Sequence, residues 1–428
     1  MPIHEEVLPN GLRLVLADMP YLHSLEMVCY VGAGGRNETV ELSGISHFVE
    51  HMLFRGCEGY DDSISLERAF EALGGGVNAT TDADTTCFFS RLHPERLAEG
   101  ADLFARLLCK PQWNAIETER RIILEEARED LNEAGEIINS DTLTNALLWP
   151  DHPLGRPLIG SESTLRKIAL PQLQQYHRSY YSPRNVLVAV AGKLPGPRSH
   201  EALREAFTSW RGAEVAAPLP ASSLPEQGRP QSCWVHDSSS QLNLQFALQI
   251  PWGRSHPDSF ALRIWRRILS WGGTSRLMLR LREELGLTYH VEAGLNMLSD
   301  TGCLTVDLAV PPERLLQAVE EVLSLLLEMG TRPVAEEELQ RTLRNFRYDL
   351  DYSRDLPEEL AVRYGWGTLV GYRRSFERDL ADAEALTGET LQRVARELLV
   401  PGRLALAVVG PWRSADRPKV EALLERWS

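Results

Sequence analysis

Two histidines and the carboxylates around them are the residues in this sequence whose types and spacing could do chemistry. In Ser46-His47-Phe48-Val49-Glu50-His51-Met52-Leu53-Phe54, His47 and His51 stand four residues apart and Glu50 lies between them. At 100° per residue in a helix, a spacing of four separates two side chains by about 40°, so both imidazoles can reach one ion. Neutral imidazoles with a carboxylate suit zinc, which at a catalytic site takes three protein ligands and keeps one position open. The chemistry is then metal-assisted hydrolysis, with Glu50 left out of the ligation as the proton acceptor. The segment itself supplies only two ligands. An acidic helix downstream, running from Glu117 to Glu129, offers several carboxylates for the third. Glu119 and Glu126 are seven residues apart, two turns along one face, while Ile122, Ile123 and the neighbouring Ala115 form an apolar stripe to anchor the helix. Glu117, Glu125 and Arg128 fit a solvated, charge-paired face equally well.

The elements that must hold these groups follow from hydrophobic period and turn chemistry. Helices are expected over about Ser43–Arg55 and Ser63–Leu73, the second closed by Gly74-Gly75-Gly76 as a cap and hinge. Strands are expected over 8–17, with 24–32 as its partner, then over 78–82 and 85–92, followed by long helical stretches from Pro94 through Glu133. Arg184–Gly192 reads as a buried closing strand. Between Ala213 and Pro230 prolines, alanines, serines and glycines accumulate, and the order of elements then begins again. Leu242–Ile250 alternates like 24–32, a helix runs over about Ser259–Trp271, and Arg403–Gly410 matches 185–192. Laying Ile268–Gly272 on Met52–Gly56 sets Arg263, Arg266 and Arg267 where the first copy has His47, Glu50 and His51, so the second copy lacks the ligands. The expected fold is α+β: two homologous repeats, each a mixed, mainly antiparallel sheet with helices on one face. The expected domains are a zinc-binding catalytic domain at 1–212, a linker at 213–230 and a metal-free domain at 231–428.

The order H-x-x-E-H inverts the commoner H-E-x-x-H helix and is a zinc-peptidase signature of its own. Around it the chain resembles the pitrilysin, insulysin and mitochondrial processing peptidase family over nearly its whole length. The resemblance rests on Gly44–Gly56, on Gly74-Gly-Gly-Val-Asn-Ala-Thr-Thr81, on the helix from Glu119 to Glu126, on His152–Gly160, and on Tyr181-Ser-Pro-Arg-Asn185 with the strand after it. In that family the third ligand follows the second histidine by some seventy-five residues; here 126 − 51 = 75, which implies Glu126 as ligand and Glu119 as a supporting carboxylate. The second half carries Gly272–Tyr289, and the resemblance implies that Arg282 and Tyr289, seven apart, hold substrate. It also implies that Val77–Thr81 is an exposed edge on which a peptide adds as an extra strand, with Asn78, Ala79 and Thr80 as the binding residues.

The function implied is a zinc metalloendopeptidase with one Zn2+ per chain, Glu50 taking a proton and returning it to the leaving amine. Family members enclose substrate between two half-shells, and this chain supplies one. Because it retains both the metal helix and the Arg282/Tyr289 pair, a homodimer is expected, with a heterodimer with a related chain as the other arrangement. The alternatives are a noncatalytic partner subunit and a dedicated precursor-maturation protease. With 45 basic and 60 acidic residues, the formal charge of −15 disfavours nucleic acid and anionic membranes as partners. No leader segment or bilayer-spanning stretch is read in the sequence, and the six scattered cysteines read as reduced thiols, so a cytoplasmic location is expected.

Overall fold

A computed structural model describes residues 3–196, 198–212, 214–215, 219–221 and 228–427. Much of the expected linker, 213–230, lies outside the described residues. The chain forms two compact units: residues 1–127, 157–219 and 350–375 make the first, and residues 128–156, 220–349 and 376–428 the second.

The first unit is built on a six-stranded sheet of β1 (Ile3–Val7), β2 (Arg13–Asp18), β3 (Leu25–Val31), β4 (Val77–Thr81), β5 (Thr86–Leu92) and β6 (Val186–Gly192), in the order β1-β2-β6-β3-β5-β4. Only β2 and β6 run parallel; the other neighbours are antiparallel. The expected pairing of the first strand with 24–32 does not occur, because β6 inserts between them. All seven residues of β6 and of β3 are buried, and such apolar strands need cover on both faces, which a central position supplies. One face carries the main helical layer, including α1 (Ile45–Leu53), α2 (Ser63–Glu71), α3 (Leu97–Cys109) and α4 (Ile116–Glu129). The centre of the other face is covered by residues 357–369, a run of short helical turns against β2, β3 and β6. There Gly365 comes so close that a Cβ would lie 2.6 Å from that of Ala189. The glycine run after α2 is likewise fixed by proximity: a Cβ on Gly75 would lie 2.7 Å from the Arg91 carbonyl at the end of β5. The chain therefore turns tightly into β4, one of the sheet's two edge strands.

The second unit repeats the scheme with β7 (Gln231–Val235), β8 (Leu242–Ile250), β9 (Val291–Met297), β10 (Gly302–Val310) and β11 (Leu404–Val409), ordered β7-β11-β8-β10-β9. This is the first sheet's order without β1, again with a single parallel pair, β7 with β11. Even the cover recurs, since the helix Ser140–Leu148 packs on β8 and β11. Two repeated α+β layers are thus present, as the sequence pattern implies. Where the first copy has its histidines, Arg263 pairs with Asp379 at 3.0 Å, and Arg267 pairs with Asp349 and lies 4.2 Å from the Trp271 ring centroid. Among the described residues this unit contains no group of three metal-ligating side chains.

Candidate metal centre

The helix α1 is held in place at its entry and along one stripe. Gly44 enters it with φ +92°, backed closely against Gly160, so that a Cβ there would lie 2.8 Å from the Gly160 Cα. The first helical N–H groups have no partner inside a helix and need an acceptor outside it. Buried Glu38 supplies one, accepting from the Gly44 N–H at 2.8 Å, from the Ser46 N–H at 2.9 Å and from the Ser46 hydroxyl. Ile45, Phe48, Val49, Met52 and Leu53 are fully buried, each contributing about 1.5–3 kcal/mol relative to an exposed side chain. That stripe turns His47, Glu50 and His51 to the other side of the helix.

The neighbouring α4 is anchored by Ile123 and Leu124, with Arg120 stacked 5.4 Å from the Phe48 ring centroid and donating to the Leu165 carbonyl. The apolar stripe differs from the expected one: Ile122 is 44% exposed and Leu124 takes its place, while Ala115, with φ +56°, lies just before the helix. This seating brings the Glu126 carboxylate to the histidines. The two Nε2 atoms are 3.2 Å apart, His47 Nε2 is 3.7 Å from Glu126 Oε1, and His51 Nε2 is 3.5 Å from Oε2. A tetrahedral site with bonds of about 2.0–2.1 Å has donor–donor edges of about 3.3–3.4 Å, so the spacing fits a zinc ion. Among the described residues, these three are the His/Cys/Asp/Glu group whose donor atoms converge, all within 4.8 Å.

Charge and hydrogen bonding favour the same assignment. The His51 Nδ1–H donates to Glu119 Oε1 at 2.9 Å, which leaves the Nε2 lone pair facing His47 and Glu126. Burial, and then the His51 charge, lowers the His47 pKa to about 4, so its ring is neutral and able to ligate. Burial acts in the same direction on His51 but is outweighed by Glu119, Glu126 and Glu50, which hold its pKa above the ordinary value. For Glu119 burial opposes ionisation, yet His51 and Arg55 overcome it and hold the carboxyl below the usual range. Arg55, in the turn just after α1, donates to Glu119 Oε2. Glu50 is 8% exposed and accepts from the Thr81 hydroxyl. Burial, with a smaller contribution from Glu126 and Asp82, raises its pKa against the opposing pull of Thr81 and His51.

Replacing Glu119 by glutamine removes the anion behind His51 and keeps the shape. We expect zinc affinity to fall about 10- to 100-fold, read by competition with a chromophoric chelator.

The remaining expected site residues fall in two places. Asn78 and Thr80 are exposed on β4 and Ala79 is half-buried; β4 pairs only with β5 within the sheet. In the second unit Arg282 lies on a π-helical turn, Met278–Glu284, with its guanidinium 4.9 Å from the Tyr289 ring centroid, and Tyr289 is 84% exposed. Three residues that hold the site's side chains or the helix that carries them were not singled out from sequence. Arg55 stands in the turn just after the helix, close in sequence to His51, whereas Glu38 and Thr81 reach the helix from elsewhere in the chain and left no local signal.

Comparison with known proteins gives this geometry a setting. The family model described as insulinase (peptidase family M16) matches residues 13–162, and the one described as the peptidase M16 inactive domain matches residues 167–346. A protein of Mycobacterium tuberculosis named as an uncharacterized zinc protease is 31% identical, over 94% of this chain and 92% of its own. A probable mitochondrial-processing peptidase subunit beta of Arabidopsis thaliana is 24% identical over 94% of this chain and 77% of its own. The crystal structure of a protease from Helicobacter pylori shares the fold with a TM-score of 0.88, at 21% identity over 96% of this chain and 99% of that one. With two family models matching consecutive stretches of the chain and a 31% identical relative aligned over nearly its whole length, the chain belongs to peptidase family M16, the insulinase family.

Proposed function

We propose that the chain is a zinc metalloendopeptidase that binds one Zn2+ through His47, His51 and Glu126. The observation that carries this reading is the convergence of two imidazole Nε2 atoms and one carboxylate at tetrahedral spacing, with a buried carboxylate, Glu50, on the same helix. When bound, zinc supplies Lewis acidity, polarising a peptide carbonyl and acidifying a water. The side chains do the rest. Glu50 accepts a proton from the attacking water and delivers it to the leaving amine nitrogen. Glu119 holds the His51 ring with Nε2 forward, and Arg55 holds Glu119. The peptide adds along the free edge of β4 beside Asn78, Ala79 and Thr80, where backbone hydrogen bonds give affinity that depends little on side chains.

In this reading the chemistry belongs to residues 1–212, and residues 231–428 contribute Arg282 and Tyr289 as a substrate clamp. Both sets of groups occur in one chain, which supports a homodimer in which each copy offers its clamp to the other's metal centre. The name of the Arabidopsis relative, a subunit, favours a second reading as one partner of a heterodimer, and the description of the model matching residues 167–346 as an inactive domain suits a noncatalytic role for the part of the second repeat that it covers. The retained His47, Glu50, His51 and Glu126 favour the active chain. Six free cysteines support a reducing, cytoplasmic setting, and no described helix is long and apolar enough to cross a membrane.

The test is hydrolysis of a mixed peptide library by the zinc-loaded protein, read by mass spectrometry. Cleavage that stops on chelation and returns with zinc supports the reading; no cleavage of any peptide by fully loaded protein refutes it. Tyr289→Phe is expected to weaken turnover with zinc content unchanged. Mixing that variant with Glu50→Gln subunits is expected to restore part of the activity, and no recovery on mixing counts against shared sites.

A further inference from the structure

The one side chain among the described residues that donates a hydrogen bond to Glu50 comes from neither metal-bearing helix but from β4. Along that strand Val77, Ala79 and Thr81 turn inward while Asn78 and Thr80 are exposed, the ordinary alternation of a strand with one covered face. Thr81 is its last residue, 6% exposed, and its Oγ1 donates to Glu50 Oε2. Behind it stands Thr86, its directly opposed partner on β5, with the two hydroxyl oxygens 3.4 Å apart. A hydroxyl has a single proton, and that of Thr86 goes to the Ala33 carbonyl at 2.9 Å. Thr86 therefore presents only lone pairs to Thr81. Of the two acceptors facing the Thr81 proton, the ionised carboxylate is the stronger, so the direction of the bond is fixed.

We infer that Thr81 is a positioning residue for Glu50: it pins Oε2, leaves Oε1 to accept the proton, and makes the strand proposed to receive the peptide the same element that places the base. This deepens the proposed function and rests on Glu50 being its base. A glutamate side chain has three rotatable bonds, and a buried carboxylate deprived of its donor either swings away or stays unsatisfied. A displacement of about 1 Å at a catalytic group is enough to cost about a hundredfold in rate. Because Thr81 ends β4 where the turn to β5 begins, with the Asp82 N–H bonded to the Thr85 carbonyl at 2.8 Å, a peptide added along the strand bears on the residue that holds the base.

The experiment compares Thr81→Val, which keeps the shape, with Thr81→Ser, which keeps the hydroxyl, in the zinc-loaded full chain. It measures kcat and KM on a quenched peptide substrate together with zinc content. Thr81→Val is expected to lower kcat about 10- to 100-fold with KM within about twofold and one zinc retained, and Thr81→Ser to stay within about threefold of the unaltered protein. Should Thr81→Val not fold, Thr81→Ala serves as the hydroxyl-free variant. Unaltered kcat in the hydroxyl-free variant, or equal damage from serine and valine, overturns the inference. Glu50→Gln is run alongside: full activity there refutes the base assignment itself, whereas an inactive Glu50→Gln beside a fully active Thr81→Val refutes only the role of Thr81.

Discussion

Glu50→Gln is expected to lower peptide hydrolysis by about 10²- to 10⁴-fold while the protein still binds one zinc per chain. Glutamine keeps the length of the side chain and can still accept from the Thr81 hydroxyl, so neither the packing of α1 nor the three donors is disturbed. What disappears is an oxygen able to take up and return a proton. A loss of this size corresponds to about 2.7–5.5 kcal/mol of barrier. Parallel measurement of kcat and of zinc by mass spectrometry checks it, and an active Glu50→Gln protein removes the base from the mechanism.

The second large effect belongs to the ligands. His47→Ala takes away one of three converging donors and opens a void beside His51, whose Nε2 lies 3.2 Å from that of His47. Zinc affinity should fall by more than the about 10- to 100-fold that a hydrogen-bonded partner behind a ligand is worth, and hydrolysis should be lost with it. Ligand binding to the folded state alone also stabilises it, by about 4 kcal/mol at a concentration a thousandfold above Kd. The unaltered protein should therefore melt at a markedly higher temperature when zinc is added, and His47→Ala should show almost no zinc-dependent rise. A variant that binds and melts like the parent excludes His47 from the site.

The legible part of this site was the part written in one helix. Four-residue spacing of His47 and His51, with Ile45, Phe48, Val49, Met52 and Leu53 on the opposite stripe, announces a buried helix with one side able to face a metal. The third donor was not legible in the same way. The acidic helix has glutamates at 117, 119, 125, 126 and 129, and helical geometry puts 119 and 126 on one face. Resemblance to a family separated them, and the structure shows different surroundings: Glu126 beside both Nε2 atoms, Glu119 behind His51 with Arg55. Contacts that arise only when distant strands come together were silent. Thr81 reads locally as an alternating strand residue, and nothing near it in sequence points to Glu50.

The fold shows the same division. Strand runs and helices were readable from their periods, but strand neighbours were not. The hairpin expected between the first strand and 24–32 is the shortest connection, yet β6, more than 150 residues later, takes the place between them because it is apolar on both faces. The repeat, by contrast, was visible because the same apolar strand recurs as β11 and occupies the same position in its own sheet.

The most direct test of the metal assignment is X-ray absorption at the zinc edge on protein stripped with chelator and reloaded. One zinc per chain is expected in a nitrogen and oxygen shell at about 2.0–2.1 Å, with the outer scattering of two imidazoles and no sulfur at about 2.3 Å. Protein that takes up no zinc, or zinc held by a cysteine sulfur, contradicts it.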